Sequence, residues 1–174
     1  MVKRLFLVAA LCLFAVAGCS TKYDLGASGK GAKLDRGQRV CIITPADGNY
    51  EGRVYTGSGA ATANLLQGAI ARYTAGIERI PSQGSLQADL GMAANGGYRY
   101  VFYPQIINWE PRAAAWSGRP TRVNVLMIVY DMKAGQRAVI QENLDVRGRI
   151  MTFVSQSPPE ILKPLFEQFA ASSF

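Results

Sequence analysis

Residues 39–44 read Arg-Val-Cys-Ile-Ile-Thr, and Pro45 follows directly. The four central residues are apolar without alternation, which predicts a central strand covered by other elements on both faces. Proline has no amide hydrogen and ends the strand. Cys41 lies in the middle of this run, so we expect a buried thiol without catalytic activation.

Helical and strand-like periodicities alternate after this strand. The pattern predicts a helix over 59–75 with Ser58 as its N-cap, a short strand over 77–80 and a weaker helix over 85–94. Strands are predicted over 98–108, 121–131 and 137–147, and a last helix after Ser157, which has capping-box spacing to Glu160. Pro164 should kink this helix or mark its true start. The order predicts an α/β (α+β) domain: a mixed sheet of about five strands with a βαβ start, an antiparallel meander and a C-terminal helix.

The N-terminus has the layout of an export signal. Lys3 and Arg4 precede an apolar run over 5–16, which as a helix reaches about 18 Å and is too short for a bilayer core of roughly 30 Å. Val16-Ala17-Gly18-Cys19 resembles the bacterial lipobox. The resemblance implies that residues 1–18 are a lipoprotein signal peptide and that Cys19 becomes the acylated first residue. An ordinary secretory signal with a chance cysteine is the alternative.

A polar segment separates this cysteine from the first strand. Residues 19–37 are rich in Gly, Ser and Lys and predict a lipidated flexible tether, followed by a single periplasmic α/β domain over 38–174. A triacylated cysteine anchors a protein stably. Ser20 stands where an aspartate would retain such lipoproteins at the inner membrane, so resemblance to that sorting rule implies the outer membrane.

Composition restricts the function classes. The chain has no histidine, which removes the commonest general base and metal ligand, so we predict no enzyme, no cofactor and no metal. After loss of Lys3 and Arg4 the formal net charge falls from +7 to +5. Membrane lipid and anionic glycan are available partners in the envelope, whereas nucleic acid is not. The positive charge is equally consistent with plain solubility.

The segment over 45–59 (PADGNYEGRVYTGSG) is a glycine-rich loop beyond the carboxyl end of the first strand. Such loops border binding crevices in open α/β sheets, and amides at a helix start bind anions. We therefore predict a ligand loop formed by Asp47, Tyr50, Tyr55 and Ser58. The alternative is a structured turn with an N-cap, since neither a dinucleotide nor a complete calcium-loop motif is present.

The segment over 108–122 (NWEPRAAAWSGRPTR) is rich in residue types that dominate binding hot spots. It predicts a projecting interaction arm that uses Trp109, Arg112, Trp116 and Arg119, with Trp116 the better interface candidate. The alternative is a long hairpin whose tryptophans fold back onto the sheet edge.

Two motifs carry a family resemblance. They are Asp47-Gly48-x-Tyr50 to Tyr55-x-Gly57-Ser58-Gly59, and Trp109-Glu110 to Trp116-Ser117-Gly118-x-Pro120. They resemble an uncharacterised family of proteobacterial lipoproteins, classed as a domain of unknown function, over nearly the whole mature domain. The element order more loosely resembles accessory lipoproteins of curli and Pel polysaccharide secretion and the amino-terminal domain of the Tol-system translocation protein, an analogy at the level of the fold.

Two functions remain open from the sequence. The leading hypothesis is an outer-membrane-anchored periplasmic lipoprotein that acts as a non-enzymatic accessory or interaction domain of an envelope assembly or secretion system, with an envelope protein as partner. The alternative is a periplasmic binding domain for an anionic glycan or cell-wall fragment.

Overall fold

The computed structural model describes residues 23–25, 32–111, 119–148 and 156–174. The strands are β1 Tyr23–Leu25, β2 Gln38–Thr44, β3 Asn49–Tyr50, β4 Arg53–Val54, β5 Thr74–Pro81, β6 Tyr100–Glu110, β7 Arg122–Asp131 and β8 Arg137–Arg147. The helices are α1 Ser58–Ile70, which continues into a 3-10 turn over Ala71–Tyr73, α2 Leu86–Asn95 and α3 Pro158–Ser173. None of the helices in these ranges has the length and apolar character needed to cross a bilayer.

Six strands form one mixed sheet in the order β1-β8-β7-β6-β2-β5. β2 runs parallel to both β5 and β6, and the pairs β6–β7, β7–β8 and β1–β8 are antiparallel. The predicted mixed sheet with a βαβ start, an antiparallel meander and a C-terminal helix is confirmed. The three-residue β1 adds an edge strand that the sequence did not predict.

β2 is covered on both of its faces, as its apolar run predicts. Val40 and Ile42 contribute to a core beneath α1 and α3, whereas Cys41 and Ile43 contribute to a second core beneath α2. All four side chains are at most 2% exposed. The domain therefore has three layers, with two helices on one face of the sheet and one on the other.

The segment before β2 is part of the folded domain. β1 pairs with β8, with Tyr23 opposite Val146 and Leu25 opposite Leu144. Leu34 is 4% exposed, and its backbone amide donates a hydrogen bond of 2.8 Å to the carbonyl of Ser173. The prediction of a flexible tether over 19–37 is therefore corrected for residues 23–25 and 32–37. Edge-strand pairing and one buried leucine hold a segment whose composition is otherwise that of a linker.

The start of α3 matches its sequence signal. The backbone amide of Ser157 donates to Glu160 Oε2 at 2.6 Å, and the reciprocal bond completes a capping box. The backbone amide and the hydroxyl of Ser157 both donate to the carboxylate of Glu160 and lower its pKa, because they stabilise the ionised form. Pro164 lies inside α3, so the interpretation that it marks the true start of the helix is wrong.

Candidate functional site

An open cleft of about 740 Å³ lies beyond the carboxyl ends of β2 and β5. We call it the strand-end cleft. These parallel neighbours end at Thr44 and Pro81, whereas β6 continues past them to Glu110 and forms one side. The lining residues are Ile43, Thr44, Pro45, Ala46, Asp47, Asn49, Pro81, Ser82, Gly84, Tyr103, Pro104, Gln105 and Ile106. Crevices at this position bind ligands in many open α/β sheets.

The β6 side of the cleft carries an open strand edge. β6 pairs with β2 only from Tyr100 to Phe102, and beyond that point its ladder partner among the described residues is β7 alone. Pro104 lies in this open stretch. A proline is tolerated in a strand where its missing amide hydrogen would face an unpaired edge. Beyond Phe102 the ladder of β6 with β2 has thus ended, and the loop at Gly48 packs against Ile106 and Trp109 further along the strand.

Asp47 holds the loop that forms a second side of the cleft. Its Oδ1 accepts a hydrogen bond from the amide of Gly59 at 2.8 Å, and its Oδ2 accepts one from the amide of Gly57 at 3.1 Å. Ser58 is 5% exposed, and its hydroxyl accepts a bond of 2.8 Å from the amide of Gly48. Asp47 therefore occupies two of the amides that could have bound an external anion, those of Gly57 and Gly59.

The helix start is also shifted by one residue from its prediction. Gly57 is the N-cap of α1, with φ of 87°, and Ser58 is the first helical residue. A side chain at Gly59 would bring its Cβ to 2.2 Å from the carbonyl oxygen of Pro45. Glycine is therefore required here because the loop backbone passes directly over the start of α1.

Asp89 holds the third side of the cleft. This carboxylate on α2 is fully buried and accepts hydrogen bonds from Ser82 Oγ at 2.8 Å and from the amide of Gln83 at 2.5 Å. Burial raises the pKa of the neighbouring Tyr103, and the charge of Asp89 raises it further. Sequence reasoning missed Asp89. The sequence pattern that could have revealed it is an acidic residue on the same buried face of the helix as Leu90 and Ala93.

The four residues of the predicted ligand loop do not form one site. Asp47 lines the strand-end cleft, whereas Tyr55 and Ser58 line a neighbouring hollow of about 480 Å³ together with Trp109. Tyr50 lies on β3, where a hydrogen bond to Glu51 raises its pKa, with smaller contributions from burial and Glu110. The geometry therefore favours the alternative of a structured, self-capped loop.

Trp109 is a core residue. Its side chain is 5% exposed, and a Cβ at Gly48 would lie 2.7 Å from the Cβ of Trp109. A bulge inserts Ile107 between two β6–β7 pairs and turns Trp109 to the same face as its partner Val123. The prediction that Trp109 is an exposed interaction residue is corrected, and this tryptophan folds back onto the sheet.

The other predicted interaction residues have different positions. Arg119 is exposed and lines a hollow of about 180 Å³ with Glu110, Pro120, Arg122 and Arg147. Arg122 forms a bidentate ion pair with Asp145, at 2.7 and 3.1 Å, which raises the pKa of Arg122. Cys19, Arg112 and Trp116 lie outside the described residues.

The thiol of Cys41 is held in its neutral form by its surroundings. Burial, followed by the charges of Glu78 and Asp89, raises the pKa of Cys41 to about 12, so its thiolate is strongly disfavoured at neutral pH. Within the described ranges, no cluster of three or more Asp, Glu, Cys or His side chains is positioned to hold a metal ion.

Residues 32–172 match the family model described as Domain of unknown function (DUF4823). The chain belongs to this family. The predicted resemblance to an uncharacterised domain of unknown function is thereby confirmed. No functionally curated protein matches the DUF4823 chain significantly.

Solved structures share the fold. The PelC dodecamer from Paraburkholderia phytofirmans is 14% identical, with a TM-score of 0.67 over 88% of this chain and 98% of that chain. A substituted PelC from the same organism is 13% identical, with a TM-score of 0.65 over 88% and 99%. Protein XCC0632 from Xanthomonas campestris is 10% identical, with a lower TM-score of 0.49 over 78% of this chain and 81% of that chain. At these identities the likeness is one of fold alone.

Proposed function

We propose that this DUF4823 protein is an outer-membrane lipoprotein whose periplasmic domain is a non-enzymatic accessory module that binds another envelope component in the strand-end cleft. The observation that carries the proposal is a preformed cleft in which Asp47 and Asp89 hold two of the three sides through hydrogen bonds to their own loops. A rigid, preorganised site loses little conformational entropy on binding.

The chemistry of the cleft supports binding over catalysis. Asp47 is the one charged side chain among the described lining residues, and both of its oxygens accept hydrogen bonds from backbone amides. These hydrogen bonds give the carboxylate a structural task, that of holding its own loop. Cys41 is fully buried beneath α2, with a raised pKa, and is equally unsuited to attack.

The lining favours an extended segment of a protein as the occupant. Most lining side chains are apolar or neutral, and the ladder between β2 and β6 ends at Phe102, which leaves the next residues of β6 as the place where an added strand would pair. The negative charge of Asp47 disfavours an anionic glycan at this position. The glycan alternative therefore has less support than a protein partner.

The proposed envelope location is supported by the sequence. The lipobox-like Val16 to Cys19 implies export and acylation. The fold is shared with PelC, whose solved form is a dodecamer, so this fold is compatible with a role in an assembly.

Co-purification tests the cleft. A tagged full chain is captured from detergent-solubilised membranes as wild type, as Gln105→Lys, and as Asn143→Lys. Both positions pair with Leu126 in the sheet, but only Gln105 lines the cleft, so Asn143→Lys is a matched control. We expect a protein partner with wild type and Asn143→Lys that is lost with Gln105→Lys. Retention by Gln105→Lys, or recovery of glycan in place of protein, would contradict the proposal.

Metabolic labelling with a fatty-acid probe tests the anchor separately. The acyl chain needs the sulfur of Cys19, so the probe should label wild type and leave Cys19→Ala unlabelled, with the variant soluble or uncleaved. Equal labelling of both forms would refute lipid attachment at this residue.

A further inference from the structure

We propose that one end of the sheet lies directly against an anionic phospholipid surface. This end carries Arg119, Arg122 and Arg147, and we call it the arginine end. The inference rests on the proposed lipid attachment at Cys19, and it adds the orientation of the domain and the chemistry of the surface that it touches.

Chain length brings the anchor to this end. β1 is antiparallel to β8, and its first residue, Tyr23, lies opposite Val146, next to Arg147. The amino end of β1 therefore faces the side of Arg147. Cys19 precedes Tyr23 by four residues, which span at most about 14 Å when fully extended. An acylated Cys19 cannot lie further than that from the start of β1.

The described part of the predicted tether after β1 also belongs to the domain. The amide of Ala32 donates to the carbonyl of Val139 at 3.4 Å, and Leu34 bonds to Ser173 at the end of α3. These contacts lie at the opposite end of the sheet, near the turn between β7 and β8. Residues 32–37 therefore add no length between the domain and the anchor.

The charges at this end suit phosphate groups. Arg122 and Arg147 lie directly opposite each other in the β7–β8 register, and Arg119 lines the same small hollow. Asp145 already compensates the charge of Arg122 through their bidentate ion pair, so Arg119 and Arg147 are the guanidinium groups proposed to meet phosphate. Glu110 lines the same hollow, and Asp145 is the ion-pair partner of Arg122.

Distance decides whether this charge has an effect. Attraction between exposed charges decays over about 8 Å at physiological ionic strength. A flexible tether between Cys19 and β2 would leave the arginines mostly more than this distance from the membrane. The four-residue link from Cys19 to β1 instead keeps them close to the membrane surface. Guanidinium groups also bind phosphate through two parallel hydrogen bonds, which favours arginine over lysine at such a surface.

This orientation would also determine the side toward which the strand-end cleft opens. β2, β5 and β6 are parallel, and the carboxyl end of β6 at Glu110 belongs to the arginine end. The cleft at the carboxyl ends of β2 and β5 therefore opens toward the same side as the anchor. A partner would therefore enter the cleft close to the membrane surface.

Site-specific quenching tests the orientation. The lipidated full chain is reconstituted into vesicles of phosphatidylcholine with or without phosphatidylglycerol, which contain a nitroxide-labelled lipid as quencher. A fluorophore is attached to a cysteine introduced either at Pro120, at the arginine end, or at Ala134, in the turn at the opposite end. Cys41 is fully buried and does not compete for the label.

The charge variants are matched. Arg119→Glu/Arg147→Glu and Lys133→Glu/Arg137→Glu change the net charge equally, at opposite ends of the β7–β8 hairpin. Arg119→Gln/Arg147→Gln is a milder second variant that avoids introducing acidic groups. Thermal unfolding of each variant establishes that the domain is folded before quenching is measured.

We expect the Pro120 probe to be quenched more strongly than the Ala134 probe, most of all with phosphatidylglycerol. The added quenching should be lost in both arginine variants, be weakened by salt, and persist in the Lys133→Glu/Arg137→Glu control. Equal quenching at the two positions, or no change in the arginine variants, would overturn the orientation while leaving the anchor intact. Release of the wild-type chain from neutral vesicles would instead overturn the anchor itself.

Discussion

The carboxylate of Asp47 and the backbone amide of Gly59 are joined across the start of α1 by a hydrogen bond of 2.8 Å. The amides at a helix start carry positive partial charge, and an acidic side chain there stabilises the helix. The second oxygen of Asp47 accepts a hydrogen bond from the amide of Gly57, so the loop before α1 itself supplies the negative charge at the helix start. This one side chain both caps the helix and fixes a side of the strand-end cleft.

Replacing Asp47 with alanine should lower the free energy of unfolding by about 1–2 kcal/mol, as expected for the loss of a helix cap. Asp47→Asn keeps an oxygen that can accept one amide and should cost less. Urea unfolding measures both, with Asn49→Ala as a control in the same loop. An Asp47→Ala variant as stable as wild type would show that the cap contributes nothing.

The two tryptophans should behave differently on truncation. Trp109 is buried, so Trp109→Ala should destabilise the domain by about 3–5 kcal/mol. If Trp116 carries an interface, Trp116→Ala should leave the melting temperature nearly unchanged and abolish partner binding. Thermal unfolding and co-purification of both variants measure this contrast. Strong destabilisation by Trp116→Ala would refute its interface role.

Leu34 distinguishes a folded N-terminal segment from a tether. Its side chain is 4% exposed and belongs to the core beneath α1 and α3. Leu34→Ala should therefore lower the free energy of unfolding by about 2–5 kcal/mol. Lys33→Ala, at an exposed neighbour, should have an effect within about 0.5 kcal/mol of zero. Equal effects of the two changes in urea unfolding would mean that the segment is not packed.

Cys41 should make stability fall at alkaline pH. Its pKa is raised from 9.0 to about 12 in the folded domain, so the unfolded chain ionises first as pH rises. The stabilising contribution is then complete below about pH 9 and is lost as pH rises toward 12. Urea unfolding at several pH values should show a shallower decline for Cys41→Ala than for wild type.

The same thiol should react slowly with a thiol reagent in the folded state, because Cys41 is fully buried. Denaturant should accelerate the reaction. Rapid labelling without unfolding would indicate an exposed and activated cysteine, and the non-enzymatic proposal would then fail.

Local patterns were sufficient for most of the secondary structure. The apolar run over 39–44 predicted the central β2, and β8 over 137–147 has the predicted bounds. The capping box at Ser157 and Glu160 was visible because it joins residues three apart. The start of α1 was misassigned by one residue, since its cap is formed by Asp47 from a distant part of the loop.

The candidate site was less predictable than the fold. Its position beyond β2 followed from the general preference of α/β sheets. Which residues line it did not follow, since Asp47 after β2, Ser82 after β5 and Gln105 on β6 come from segments far apart in the chain. Asp89 was missed because the sequence shows only a single acidic residue in a weak helix pattern. Its structural role depends on hydrogen bonds to Ser82 and Gln83, which only the fold brings beside it.

By itself, the sequence determined the order of elements, the fully covered central strand and the layout of the export signal, because these depend on residues close together in the chain. Tertiary structure alone decided that Trp109 turns inward after the bulge at Ile107, that Asp47 occupies the amides of α1, and that β1 runs beside β8. Each of these depends on contacts between distant segments, whose energy is gained only when the sheet has formed. Hydrophobic periodicity reports which face of an element is buried, but not which distant residue meets it there.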